Sequence, residues 1–110
     1  MTLGELIAKL KRHDPAKIVR LGFCNPHSYR GDYHSLAFEP AENVAIGEML
    51  QCAERALGDT FSGYRGGLFT MQKITGVYLA KRGYEGEELG PLLLGYMLND
   101  VLNANPLSQS

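Results

Sequence analysis

The order of helical and extended segments is the feature that most constrains this chain. Three segments with helical spacing of apolar residues alternate with two pairs of short runs rich in β-branched and apolar residues. This order predicts an α+β fold with a small, mainly antiparallel sheet and helices packed on one face. A chain of 110 residues holds one hydrophobic core of this kind. We therefore expect a single domain over residues 1–103 and a frayed tail over 104–110.

The first two helices are indicated by their end signals and apolar spacing. Thr2 and Glu5 have the spacing of a capping box, in which each side chain bonds to the other residue's main-chain amide. Apolar residues then recur every three or four positions, so a helix is predicted over 2–13. A second amphipathic helix begins at Ile46 and ends at Gly58, which suits the left-handed position after a helix.

Four strands are predicted where apolar and β-branched residues cluster, at 17–23, 33–38, 68–71 and 74–80. Turn-forming residues dominate 24–32 and 59–67, which are predicted to be loops. Pro40 is expected to close the second strand. The polar segment 83–88 is interpreted either as a lid that folds over a ligand or as a linker.

The last helix is apolar on most of its surface. Pro91 suits the first helical position, and apolar side chains follow on all sides: Leu92, Leu93, Leu94, Tyr96, Met97, Leu98, Val101 and Leu102. A helix that is apolar all round is normally buried. In so small a domain, burial against a second copy is the simplest solution, so a homo-oligomer joined through this helix is predicted.

Charge and hydropathy exclude several classes of function. The 11 basic and 12 acidic side chains leave a net charge of -1, without the basic excess typical of proteins that bind nucleic-acid duplexes. The chain has no apolar stretch near the roughly 18 residues of a membrane span and no apolar leader after Met1. We expect a cytoplasmic protein that does not bind membranes.

Metal and cofactor chemistry have no sequence support. The acidic residues lack the fixed spacing of known metal motifs, and no cofactor motif occurs. Cys24 and Cys52 are far apart in sequence and match neither a zinc pattern nor a disulfide framework. They are interpreted as reduced residues that pack like small apolar groups.

Two short segments share a Tyr-Arg-Gly sequence that is suited to binding an anion with a ring. Arginine presents a planar fork of donors to phosphate or carboxylate, tyrosine offers a flat face and a hydroxyl, and glycine lets the backbone approach closely. The predicted ligand is a nucleotide derivative. Alternatively, the segments are two surface turns whose arginines form ion pairs. The residues concerned are Tyr29, Arg30, Gly31, Tyr64, Arg65 and Gly66.

The residues before the first segment add further polar groups. Asn25 and His27 are predicted to set ligand specificity, with Ser28 also in contact. Histidine is the side chain most easily poised near neutral pH. An enzyme that acts on a similar molecule is therefore the alternative, with His27 as acid or base and Glu39 or Asp32 as its partner. No convincing catalytic constellation surrounds them, which favours binding.

Several runs resemble a family of small proteins encoded by tailed bacteriophages. They are Asn25-Pro26-His27-Ser28-Tyr29-Arg30-Gly31-Asp32-Tyr33, Leu36-Ala37-Phe38-Glu39-Pro40, Gly47-Glu48-Met49-Leu50, Gly63-Tyr64-Arg65-Gly66-Gly67-Leu68-Phe69-Thr70-Met71 and Tyr78-Leu79-Ala80. The similarity spans roughly 18–90, and its first run is the most specific part.

Small phage proteins of this size include sponges, which sequester the nucleotide signals of bacterial immune systems. By analogy, the resemblance implies an anti-defence role in the host cytoplasm, with a cyclic nucleotide or an ADP-ribose derivative as the ligand. A protein-binding inhibitor or accessory protein is a further alternative, because tyrosine and arginine are also enriched at protein interfaces.

Overall fold

The computed structural model describes residues 1–31, 35–62, 65–81 and 84–100. Within these ranges the helices are α1 (Leu3–Leu10), α2 (Ile46–Ala56) and α3 (Pro91–Asn99), and a 3-10 turn spans Tyr29–Gly31. The strands are β1 (Ile18–Ser28), β2 (Ser35–Ala45), β3 (Thr60–Ser62), β4 (Leu68–Thr70), β5 (Gly76–Leu79) and β6 (Glu87–Glu88).

The main sheet has the strand order β1-β2-β5-β6, and β3 and β4 form a separate two-stranded ribbon. β1 pairs with β2 and β5 with β6 in antiparallel fashion, whereas β2 and β5 are parallel. The predicted α+β class, with a mainly antiparallel sheet covered by helices, is confirmed. Buried residues of all three helices and of the sheet belong to one core cluster.

The ends of α1 and α2 follow the predicted signals. The Thr2 hydroxyl accepts from the Glu5 amide at 3.2 Å, and the Glu5 carboxylate accepts from the Thr2 amide at 3.2 Å, which completes the capping box. Hydrogen bonds donated to the Glu5 carboxylate by the Thr2 amide and then by the Thr2 hydroxyl hold the pKa of Glu5 below its ordinary value. Helix α1 ends at Leu10, three residues before the predicted end. Gly58 follows α2 with φ +82°, as expected for its position.

Strand β1 is longer than predicted and includes much of the expected loop 24–32. The register of its pairing with β2 shifts between Cys24 and Pro26, and Asn25 has φ 50°. The turn-forming residues therefore produce a β-bulge inside the strand.

Strand β2 continues through Pro40, so the predicted end at that residue is wrong. Strand β5 pairs with β2 only from Ser35 to Phe38, and Pro40 faces Phe23 of β1. Because none of the described strands pairs with β2 on its other side at this point, a residue without an amide hydrogen costs no sheet bond there.

The predicted loop 59–67 contains the short strand β3. It pairs with β4, and Phe61 lies opposite Phe69 with ring centroids 6.4 Å apart. A strand is recognised from sequence by apolar and polar residues that alternate over about four to eight positions, and a strand of three residues is too short to show this pattern.

Helix α3 begins at Pro91 as predicted, but only part of its surface is buried. Leu94, Met97 and Leu98 lie in the core, whereas Leu92 and Tyr96 are 92% and 63% exposed. The oligomer therefore stays a prediction. The predicted helix residues Val101 and Leu102 and the tail 104–110 lie outside the described ranges. Among the described residues, no helix has the length and apolar character needed to cross a membrane.

Candidate functional site

A hydrogen bond links the residue before the first Tyr-Arg-Gly segment to a residue two positions before the second. The Ser28 hydroxyl donates to the main-chain oxygen of Ser62 at 3.2 Å. Ser28 directly precedes Tyr29, and Ser62 lies two positions before Tyr64, which is itself outside the described ranges. The bond links the end of β1 to the end of β3.

Two residues of the second segment are described. Arg65 and Gly66 are both exposed, and Gly66 has φ +82°. That backbone conformation is open to glycine at little cost. The segment therefore turns at the solvent-facing side of the ribbon, where its backbone is accessible to a ligand.

Tyr29 is built into the fold by its ring and its hydroxyl. Its ring stacks on Tyr78 of β5, with centroids 4.1 Å apart and planes 5° apart. Its hydroxyl accepts a hydrogen bond from the Gly86 amide at 3.3 Å. A ligand can stack on Tyr29 only on the face turned away from Tyr78.

Arg30 adopts a left-handed backbone conformation with φ 53° and ψ 30°. Its guanidinium lies 3.9 Å from a carboxylate oxygen of Glu85, and both side chains are more than half exposed. An exposed ion pair of this length contributes little to stability, because solvent screens it and both side chains lose conformational freedom in forming it. Glu85 therefore holds the guanidinium only weakly.

His27 lies in the interior, with 5% of its surface exposed. Its Nε2 is 2.9 Å from the main-chain oxygen of Ala80, and its Nδ1 is 3.1 Å from that of Ser28. A neutral imidazole donates from one nitrogen, whereas an imidazolium donates from both and would satisfy both oxygens. With a proton on Nε2 the ring donates to Ala80 and ties the end of β1 to the residue after β5, and both nitrogens face main-chain oxygens.

Asn25 and Glu39 contact each other across the bulge of β1. The Asn25 side-chain amide donates to a Glu39 carboxylate oxygen at 3.2 Å. Asparagine tolerates the left-handed conformation seen here better than most residues. Asp32, the other proposed partner of His27, lies outside the described ranges. His27 and Glu39, the two described members of the proposed catalytic pair, thus both make contacts within the protein that support the fold.

Two neighbouring clefts lie beside these residues. One, of about 720 Å³, separates the end of β5 from the segment 84–87. The other, of about 490 Å³, lies between α3 and the sheet and is mostly apolar. They share four lining residues, namely Pro40, Leu79, Lys81 and Glu87.

Gly86 explains how segment 84–87 lies so close to β5. A β carbon at this position would come within 2.0 Å of the main-chain oxygen of Leu79, far closer than a van der Waals contact. Glycine alone therefore permits the approach that brings the Gly86 amide to Tyr29. The sequence analysis named Gly86 only as part of the candidate lid 83–88, and it did not predict Tyr78 as a partner of Tyr29.

The described charges around the larger cleft have mixed sign. Lys81 lies at the rim with Glu85 and Glu87, and Glu88 forms a 3.2 Å ion pair with the amino group of Met1. Across the described ranges, no group of three or more His, Cys, Asp or Glu residues is arranged to hold a metal ion.

Comparisons of this chain with protein-family models, with curated proteins and with solved structures found no match.

Proposed function

We propose that this protein binds an anionic, ring-bearing small molecule, a nucleotide derivative, at the surface that Arg30 shares with segment 84–87. The observation that carries the proposal is the state of Arg30: it has a left-handed backbone and an exposed guanidinium with a long contact to Glu85. Tyr29, Arg65 and Gly66 complete the surface.

The backbone of Arg30 supports a functional role for this residue. A non-glycine residue in the left-handed region costs about 1–2 kcal/mol. Of the three such residues described, two are asparagines, Asn25 and Asn43, and the third is Arg30. Asparagine is enriched in this conformation, whereas arginine is not. Strain of this kind concentrates at binding and catalytic sites.

The ion pair with Glu85 indicates how a ligand would engage. A phosphate can form two parallel hydrogen bonds with a guanidinium, which are shorter and stronger than the 3.9 Å contact. Glu85 lies next to Gly86, whose amide is bonded to Tyr29. Displacement of Glu85 by an anion would therefore move or reorder segment 84–87, in line with the lid predicted for this part of the chain.

The surroundings of His27 favour capture over turnover. A general base needs a nitrogen within reach of the substrate, and both nitrogens of His27 lie near main-chain oxygens. Together with the resemblance to small phage proteins, this supports the proposal of a sponge that sequesters a nucleotide immune signal in the host cytoplasm. Asn25 and Ser28 would adjust specificity from the adjoining part of β1.

The test is a thermal-shift screen with inorganic pyrophosphate, ADP-ribose, cyclic dinucleotides and the corresponding uncharged nucleosides. A ligand at 100 times its dissociation constant adds about 2.7 kcal/mol to stability. We expect a charged compound to raise the melting temperature of the native protein while its nucleoside does not. Arg30→Ala should abolish the shift. Glu85→Gln should enlarge it, because the competing carboxylate is gone.

Two results would count against the proposal. One is the absence of a shift with every compound for both the native protein and Glu85→Gln. The other is an equal shift for Arg30→Ala, which would locate binding elsewhere. Mass spectrometry of the ligand recovered after denaturation separates capture from catalysis, since a sponge returns its ligand intact.

A second candidate function is protein binding, and it is favoured by the exposed aromatic and apolar residues near the clefts. Tyr84 and Tyr96 are both more than 60% exposed, and Leu92 is 92% exposed. Such residues are typical of interface cores. The same exposure on α3 supports the proposed homo-oligomer. Pull-down from a host lysate, with an α3 surface variant as the control, would distinguish a foreign partner from self-association.

A further inference from the structure

Helix α2 runs alongside β1, and the two elements are in close contact. The amide of Ile46, at the start of α2, donates to the main-chain oxygen of Lys17 at 2.9 Å. Further along, a β carbon added at Gly22 would lie 2.9 Å from the sulfur of Met49. The pairing of β1 with β2 is in one register from Ile18 to Cys24. Helix α2 and strand β1 therefore lie side by side.

This alignment brings two cysteines together. Side chains two positions apart in a strand lie on the same face, and side chains three positions apart in a helix lie on the same face. Cys24 is two positions after Gly22, and Cys52 is three positions after Met49. The two thiols are neighbours in the structure, since Cys24 is among the groups that raise the pKa of Cys52. Because the two cysteines are far apart in the sequence, their spacing did not predict that they are neighbours.

We propose that Cys24 and Cys52 are a redox-responsive pair, which a peroxide converts into an intrachain disulfide linking α2 to the bulge of β1. Both cysteines are free and half-buried, so a small oxidant can reach them. The pair differs from two inert core cysteines because each sulfur has the other as its neighbour. The proposal does not depend on the ligand-binding function.

The reaction balances with hydrogen peroxide as the oxidant. The Cys24 thiolate attacks one peroxide oxygen, the O–O bond breaks, and Cys24 becomes a sulfenic acid while hydroxide leaves. The Cys52 sulfur then attacks the sulfur of Cys24. The S–S bond forms, the S–O bond breaks, and the Cys52 proton leaves with the departing hydroxide as water. Two thiols and one peroxide give one disulfide and two waters.

The order of attack follows from the surroundings of Cys52. Burial, and next the hydrogen bond with Cys24, raise the pKa of Cys52 to about 11. Cys52 therefore gives up its proton less readily than an ordinary cysteine, and the thiolate is the nucleophile that attacks peroxide. Cys24 is assigned the first step, and Cys52 acts as the resolving thiol.

The bond would form next to the functional surface proposed above. Asn25 follows Cys24 directly, and its main-chain amide is one of the groups that lower the pKa of Cys52. The same strand continues to His27 and Ser28 and then into the turn that holds Arg30. Oxidation would fix the start of this stretch against α2.

The experiment treats the full, folded chain with hydrogen peroxide and follows free thiols and tryptic peptides by mass spectrometry. We expect both thiols to disappear together, a cross-linked pair of peptides carrying Cys24 and Cys52, and full recovery with dithiothreitol. In Cys52→Ser, the sulfenic acid on Cys24 should be trapped by dimedone. In Cys24→Ser, Cys52 should react much more slowly. Alanine variants replace the serine variants if circular dichroism shows loss of folding.

A urea-unfolded sample is the control for the role of the fold. The proposal holds if the intrachain disulfide forms faster in the folded chain than in the unfolded one. It is overturned if the folded chain gives independent oxidation of each cysteine to sulfinic acid, or disulfides between chains only. It is also overturned if the intrachain bond appears only in urea, because the native contact would then not support it.

Discussion

The ring of Tyr29 lies parallel to the ring of Tyr78, with a centroid distance of 4.1 Å and an interplanar angle of 5°. The stack joins the end of β1 to β5 across β2, which lies between them in the sheet. Gly86 adds a third element, since its amide donates to the Tyr29 hydroxyl. Tyr29 therefore positions the turn that carries Arg30 and also anchors the segment before β6.

Removing the two contacts of Tyr29 separately should give distinct results. Tyr78→Ala removes the stack and is expected to lower the free energy of unfolding by about 2 kcal/mol, since an aromatic pair contributes about 0.5–1.5 kcal/mol beyond its buried area. Tyr29→Phe keeps the stack and should cost about 1 kcal/mol for the lost hydrogen bond. Urea denaturation measures both.

Amide hydrogen exchange reports directly on the hydrogen bond between the Gly86 amide and the Tyr29 hydroxyl. Tyr29→Phe should speed exchange of the Gly86 amide while leaving core amides unchanged. Tyr78→Phe serves as the control, because it keeps both rings and should change the stability by less than about 0.5 kcal/mol. A cost for Tyr78→Phe as large as that for Tyr78→Ala would show that the hydroxyl of Tyr78, rather than the stack, matters.

Gly22 and Gly95 form a matched pair of glycines with opposite expected responses to alanine. A β carbon at Gly22 would lie 2.2 Å from Val44 Cγ1 and 2.9 Å from the Met49 sulfur, whereas nothing lies within 4 Å at Gly95 in α3. Gly22→Ala should destabilise by about 1–3 kcal/mol through overpacking. Gly95→Ala should stabilise by about 0.5–1 kcal/mol, because alanine favours a helix. Thermal denaturation of both variants checks the contrast, and equal responses would contradict the close packing of α2 on β1.

Arg30 is expected to show a trade-off between stability and binding. Arg30→Gly relieves the left-handed strain and should raise the free energy of unfolding by about 0.5–1 kcal/mol. The same change removes the guanidinium and should abolish binding of any anionic ligand found by the screen. Arg30→Ala keeps the strain and loses the charge, so it should lose binding without the gain in stability. If Arg30→Gly destabilised the protein instead, the side chain would be supporting the fold rather than a ligand.

The exposed face of α3 supplies a test of the proposed oligomer. Leu92 and Tyr96 are one helical turn apart and mostly exposed, so burial against a second copy would remove both from water. Leu92→Glu should reduce the mass of the native particle in light scattering from that of an oligomer to that of one chain. Glu54→Gln on α2, another exposed helix position, serves as the control. A native protein that already scatters as a single chain would refute self-association through α3.

The sequence predicted the elements whose signals are local. Thr2 and Glu5 specified the start of α1, Gly58 the end of α2, and Pro91 the start of α3, because caps and helix termini depend on neighbouring residues alone. The amphipathic spacing of α1 likewise identified its buried face. The fold class followed from the order of these segments.

The errors arose where long-range pairing decided the structure. Asn25 and Pro26 have the composition of a turn, yet pairing with β2 holds them in a bulged strand. Pro40 remains inside β2 because β5 stops short of it. The partners of the candidate site, Tyr78 and Gly86, come from distant parts of the chain, so no spacing rule could connect them with Tyr29. The contact between Cys24 and Cys52 was hidden for the same reason.

The raised pKa of Cys52 predicts a loss of stability at alkaline pH. Burial, and then the hydrogen bond with Cys24, raise this pKa from 9.0 to about 11, so the folded protein keeps the thiol proton that the unfolded chain releases. The contribution of the Cys52 thiol to the free energy of unfolding is fully present below pH 9 and is lost as the pH rises toward 11. With allowance for partial exposure to solvent, the loss should be about 1–2 kcal/mol. Urea denaturation under reducing conditions at pH 8 and pH 11 measures it, and Cys52→Ala, which lacks this thiol, should show a smaller fall. An equal fall in both proteins would mean that the Cys52 thiol ionises alike in the folded and unfolded chains.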